Sequence, residues 1–189
     1  ARQAYTGTDM TGAAYVFQQD QGGADNWGQV KRLLGSDTGN NDNFGSRVAI
    51  ENDTVAVSAF KDDGSQGSVY VFDRDQGGAN NWGQVTRIHP AELNNGDRFG
   101  GAMAMDGNRL IAGAFNAENG ALSNAGAAYI FEKDCGGVSN WGQVVKLLPE
   151  DPNDSAQFGV DVGIEGEVAV VGTNLQQCYI FERHLGGRD

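Results

Sequence analysis

Among the 189 residues, the side chains best suited to chemistry are three tryptophans, two histidines, two cysteines and 25 acids. Trp27, Trp82 and Trp141 each open the phrase Trp-Gly-Gln-Val. An exposed indole stacks on a sugar ring, so all three are candidate ligand-stacking residues, which would make the protein a lectin. One indole per phrase is also what one packing wedge per repeated unit requires, and the regular recurrence favours that reading. His89 and His184 have no counterparts in the other copies and no Gly-x-Ser-x-Gly partner, so both read as solvated loop or strand-end histidines rather than bases. Cys135 and Cys178 fall at opposite ends of neighbouring copies, so they read as free thiols. No His/Cys cluster has zinc spacing. Asp73 and Asp75 recur only in part, as Gln18 with Asp20 and Glu132 with Asp134, and read as a polar rim. Glycoside hydrolysis needs two carboxyl groups at a set separation, and no motif here specifies one. The sequence therefore assigns no catalytic, metal or cofactor-binding residue.

The elements that carry these residues repeat. The tryptophans are spaced by 55 and then 59 residues, and Phe44, Phe99 and Phe158, each followed by Gly, keep the same two intervals. Separate landmarks with shared intervals mark one structural unit used several times. Each unit reads as four short strands: FGSRVAI, a tight Asn/Asp/Gly turn, TVAVSAF, a polar loop, GSVYVF, a Gly-Gly loop, and WGQVTRI. The third strand is apolar on both faces, with Tyr70 and Phe72 on one side and Val69 and Val71 on the other. Such a strand must be covered on both sides. The first strand is lean and suits a crowded axis, whereas the fourth mixes Gln84 and Arg87 with Val85 and Ile88, as at an outer edge. No segment keeps a helical period for three turns. The fold class is all-β: propeller blades of four antiparallel strands, about three and a quarter per chain. The expected limits are a partial blade over 1–34, blades over 44–89 and 99–148, and an incomplete blade over 158–189, all in one propeller segment.

The repeated FG…VAI…VAVSA…GSVYVF…W pattern resembles the FG-GAP repeats of integrin-like propellers across nearly the whole chain. The resemblance implies blades that stack around an axis, in proteins that serve binding and adhesion. The family's Gly-Ala-Pro stands here as Ser58-Ala59-Phe60, Gly113-Ala114-Phe115 and Gly172-Thr173-Asn174, without the proline. Family members with a calcium loop carry it between the first and second strands. Here that connection is ENDT, DGNR or EGE, too short for the about six to eight oxygens calcium takes. The acidic loops before each Phe-Gly (SDTGNNDN, ELNNGD, EDPNDSAQ) follow no metal template and read as solvated turns.

A formal charge of -12 disfavours nucleic acid and anionic lipid as partners. No apolar run approaches the ~20 residues that span a bilayer. Residue 1 aligns inside a second strand, and the last residues stop before a fourth. Two explanations stay open: the chain belongs to a longer propeller, or copies complete one another by strand complementation, as a homo-oligomer or filament. The expected function is a non-enzymatic, extracellular or cell-surface interaction and structural module. Its partners are itself, the rest of a longer propeller, a protein or a glycan. The alternatives are a carbohydrate-binding lectin and a fragment of a polysaccharide-active enzyme.

Overall fold

In the computed structural model, which describes residues 11–183, period-2 apolar alternation and Gly/Asn/Asp turns give antiparallel sheets. The strands are β1 (Ala14–Gln19), β2 (Trp27–Leu33), β3 (Val48–Glu51), β4 (Thr54–Ala59), β5 (Ser68–Asp73), β6 (Gly83–Ile88) and β7 (Phe99–Asp106). They continue as β8 (Arg109–Ala114), β9 (Ala127–Lys133), β10 (Trp141–Leu147), β11 (Asp161–Glu165), β12 (Val168–Gly172) and β13 (Cys178–Glu182). One short helical turn, α1 (Asp62–Ser65), lies in the β4–β5 loop. The sheets hold two, four, four and three strands, in the orders β1-β2, β3-β4-β5-β6, β10-β9-β8-β7 and β11-β12-β13. The all-β class and the blade type agree with the sequence reading. By contacts the chain divides into two compact units, residues 1–100 and 101–189.

The same packing recurs within each unit. In the first, Ala14, Val16 and Leu33 of β1–β2 receive Phe44, Val55, Val57, Tyr70, Phe72 and Trp82. In the second, Ile111, Ala128 and Leu147 receive Phe158, Ala169 and Val171, with Tyr179 and Phe181 at the margin. Phe44 and Phe158 each stand edge-on between two rings of their own third strand. Phe44 lies 5.4 Å from Tyr70 and 6.3 Å from Phe72; Phe158 lies 5.4 Å from Tyr179 and 6.0 Å from Phe181. The glycine that follows has φ of +85° at Gly45 and +89° at Gly159. A Cβ there would meet Ala13 O or Ala127 O of the preceding sheet at 2.4 Å. The Phe-Gly pair thus joins ring packing to a close backbone approach that only glycine permits.

β5 is buried along both faces. Two parts of the reading hold only in places. The first strand is crowded in β7, which is buried from Phe99 to Ala102, but not in β3, where Val48 and Ile50 are exposed. The third strands at either end are not covered on both sides. Phe17 of β1 is 51% exposed and Ile180 of β13 is 66% exposed. The expected second strand over the first ten residues lies outside the described residues.

Candidate functional site

The three tryptophans, equivalent in sequence, differ in burial. Each opens or directly precedes a fourth strand, where the Gly-Gly loop delivers it to the sheet edge. Trp82 is 4% and Trp141 5% exposed, whereas Trp27 is 65% exposed. Trp82 packs in the first unit's core beside Val30, its backbone N–H donates to Arg74 O at 2.7 Å, and the Arg74 guanidinium lies 5.2 Å from its ring. Arg74 pairs with Asp53 at 3.0 Å. The structure does not bring the three indoles into one site.

A cavity of about 280 Å³ lies in the second unit. Its walls are apolar: Ile130, Val144, Val145, Leu147 and Phe181. Its mouth is charged. Arg109 bonds Glu167 at 2.8 Å, and Arg183 sits 3.6 Å from Glu132 and 3.8 Å from Glu167. The cavity borders β13, which pairs with β12 on one side and with no described strand on the other. The other three sheets each carry a fourth strand beside the third.

The loop acids are not plain solvated turns. Tyr70 Oη lies 2.9 Å from Asp37 Oδ1 and 3.0 Å from Asp62 Oδ2, so its single proton serves one carboxylate at a time. Burial, then the hydrogen bond to Asp37 and the charge of Asp62, push the phenol above its usual range. Arg87 closes the cluster, 2.9 Å from Asp62 and 3.3 Å from Asp37, with Asp63 also bound and Ser68 Oγ accepting its Nε–H at 3.0 Å. Burial raises Asp42 above its usual value, and the nearby Asp62 and Asp63 charges add to the effect. Asp97 is buried and accepts the Asn94 N–H at 2.9 Å. In the second unit Tyr179 donates to Asp151 Oδ1 at 2.6 Å, repeating the Tyr70–Asp37 contact. Among the described residues no group of three or more His, Cys, Asp or Glu is arranged to hold a metal ion. The Arg87 guanidinium occupies the Asp37, Asp62 and Asp63 cluster.

His89 is not solvated. Its Nδ1 lies 3.0 Å from Gly67 O and 3.2 Å from Ser68 Oγ, and its Nε2 lies 3.0 Å from Gln66 Oε1, so it ties β6 to the start of β5. His184 lies outside the described residues. Cys135 and Cys178 are free and exposed. Asp20, Asp75 and Asp134 are loop braces rather than a rim: their Oδ1 atoms accept the N–H of Asp25, Asn80 and Ser139 at 2.8, 2.8 and 2.6 Å. The repeated Asp-x-Gly-Gly-x-x-Asn-Trp spacing carried that signal. Thr54 Oγ1 donates to Asp73 at 2.7 Å.

A family model described as the FG-GAP repeat matches residues 27–72, 82–131 and 141–178, well over half of the chain. No curated protein matches the chain. Among solved structures, the crystal structure of the computationally designed Ika4 protein is 9% identical. The match covers 82% of this chain and 72% of that one, at a TM-score of 0.52, and bears on the fold alone.

Proposed function

The chain belongs to the FG-GAP repeat family, and from that premise we propose that it works outside the cell or on its surface as a non-enzymatic interaction and structural module whose copies complete one another by strand complementation. FG-GAP repeats mark a propeller-type interaction module, their family is generally non-enzymatic, and they are typical of extracellular proteins. Among the described residues no helix is long and apolar enough to cross a membrane. One observation supports the self-assembly: no described strand pairs with the outer edge of β13. An open strand edge is a template for another strand. The open apolar positions Phe17, Trp27 and Ile180 add to the case. Size-exclusion chromatography with light scattering tests it. The expected result is an oligomer of 20.0 kDa subunits whose share rises with concentration; a well-folded monomer throughout contradicts it.

A lectin reading has one observation in its favour, the exposed indole of Trp27. Glycan-array binding lost in Trp27→Ala would establish it.

A further inference from the structure

An asparagine followed by glycine can react with its own backbone. The glycine nitrogen attacks the asparagine side-chain amide, and the missing Cβ leaves that nitrogen unshielded. The chain has four Asn-Gly or Asp-Gly steps, which start at Asp63, Asn95, Asp106 and Asn119. The fold restrains them unequally. Asp63 is bound by Arg87, and Asp106 Oδ2 accepts the Gly166 N–H at 2.7 Å, so both carboxylates are engaged. A carboxylate is also a poorer electrophile than an amide. Asn119 sits in a two-way clamp: its N–H donates to Leu122 O, and its carbonyl accepts the Leu122 N–H, both at 3.1 Å.

Asn95 carries none of these restraints. It is exposed, in the loop between β6 and β7. Its neighbours hold the turn: Asn94 N–H donates to Asp97 Oδ2 at 2.9 Å, and Asp97 N–H donates to Asn94 O at 3.2 Å. Neither the backbone N–H and C=O of Asn95 nor the Gly96 N–H makes a hydrogen bond among the described residues. Gly96 has φ of +96°, and no heavy atom lies within 4 Å of the place a Cβ would take, so the nucleophile is open on that side. Gln66 Nε2–H donates to Asn95 Oδ1 at 3.0 Å. That bond holds the oxygen on which charge develops during attack, and not the nitrogen that leaves.

We propose that Asn95 is a self-modification site, a deamidation site whose co-reactant is water. Hydroxide takes the Gly96 N–H proton, and the nitrogen attacks Asn95 Cγ. The Cγ–Nδ2 bond breaks, and the departing nitrogen takes a proton from water and leaves as ammonia, which restores the hydroxide. A cyclic succinimide remains. Water opens it at one carbonyl to give aspartate, or at the other to give isoaspartate, in which the main chain runs through the side-chain carbon. The aspartate form puts a carboxylate where Gln66 already donates, so it keeps the loop. The isoaspartate form adds a backbone carbon just before Arg98 and Phe99, whose N–H groups donate to Ser65 O and Gln66 O at 2.9 and 2.8 Å. Its cost falls on the Phe-Gly entry to β7.

This inference is independent of self-assembly. Incubation of the folded chain at mildly alkaline pH, followed by peptide mapping with mass spectrometry, tests it. The peptide that holds Asn95 should yield aspartate and isoaspartate products, at a rate that rises in proportion to hydroxide. The Asn119 peptide should react at least about tenfold more slowly in the folded chain, since its clamp must open first, and at a similar rate in urea. Asn95→Gln should remove the Asn95 products and leave the melting temperature unchanged. Conversion of Asn119 as fast as Asn95 in the folded chain overturns the selection of Asn95. Conversion of Asn95 in urea but not in the folded chain overturns the site itself.

Discussion

Tyr70 shows how one hydroxyl can set a pH limit. The unfolded chain releases a tyrosine proton near pH 10, while burial and the Asp37 and Asp62 carboxylates make the folded chain keep it. The stabilisation is therefore complete below pH 10 and drains away as pH rises beyond it, by up to about 1.4 kcal/mol per pH unit. Urea midpoints followed from pH 9 to about 11.5 should fall more steeply for the native chain than for Tyr70→Phe; parallel slopes would contradict this. The tryptophans give a sharper contrast. Trp82→Ala should cost about 3–5 kcal/mol in urea unfolding, because it empties a core position. Trp27→Ala should cost less than about 0.5 kcal/mol in the monomer. Equal costs would mean that the indoles do the same job.

At the scale of elements, equivalent strands differ by what covers them. β5 and β13 carry the same Tyr-x-Phe pattern, and Val71 and Ile180 hold equivalent positions on the opposite face. Val71 is fully buried and Ile180 mostly exposed. Val71→Asp should therefore unfold the first unit or cost more than about 4 kcal/mol, while Ile180→Asp should cost less than about 1 kcal/mol, measured by calorimetry in dilute solution. The sheets themselves were legible from the sequence. Phe-Gly, Tyr-x-Phe and Trp-Gly-Gln-Val recur with fixed intervals, and alternation on both faces required cover. The cover itself was not legible, because burial depends on which neighbouring sheet is present and the repeat looks the same either way. The Arg87 cluster was hidden for a different reason. It joins a pre-Phe-Gly loop, α1 and β6, and only one unit carries the Asp62-Asp63 pair that completes it. His89 was hidden likewise, since its partners Gln66 and Gly67 come from the β4–β5 loop.

At the scale of the whole molecule, a formal charge of -12 makes the surface acidic, with a few exposed apolar side chains. The acidic surface repels its copies at long range, so association through the edge of β13 should strengthen as salt screens that repulsion. The central proposal is that a second copy of the chain pairs with the edge of β13 that no described strand covers. Hydrogen–deuterium exchange of the native chain at low and high protein concentration tests it most directly. The account expects residues 178–182 to gain at least about tenfold protection as concentration rises, while residues 68–73 stay equally protected at both. Exchange in 178–182 that stays fast at every concentration would contradict it.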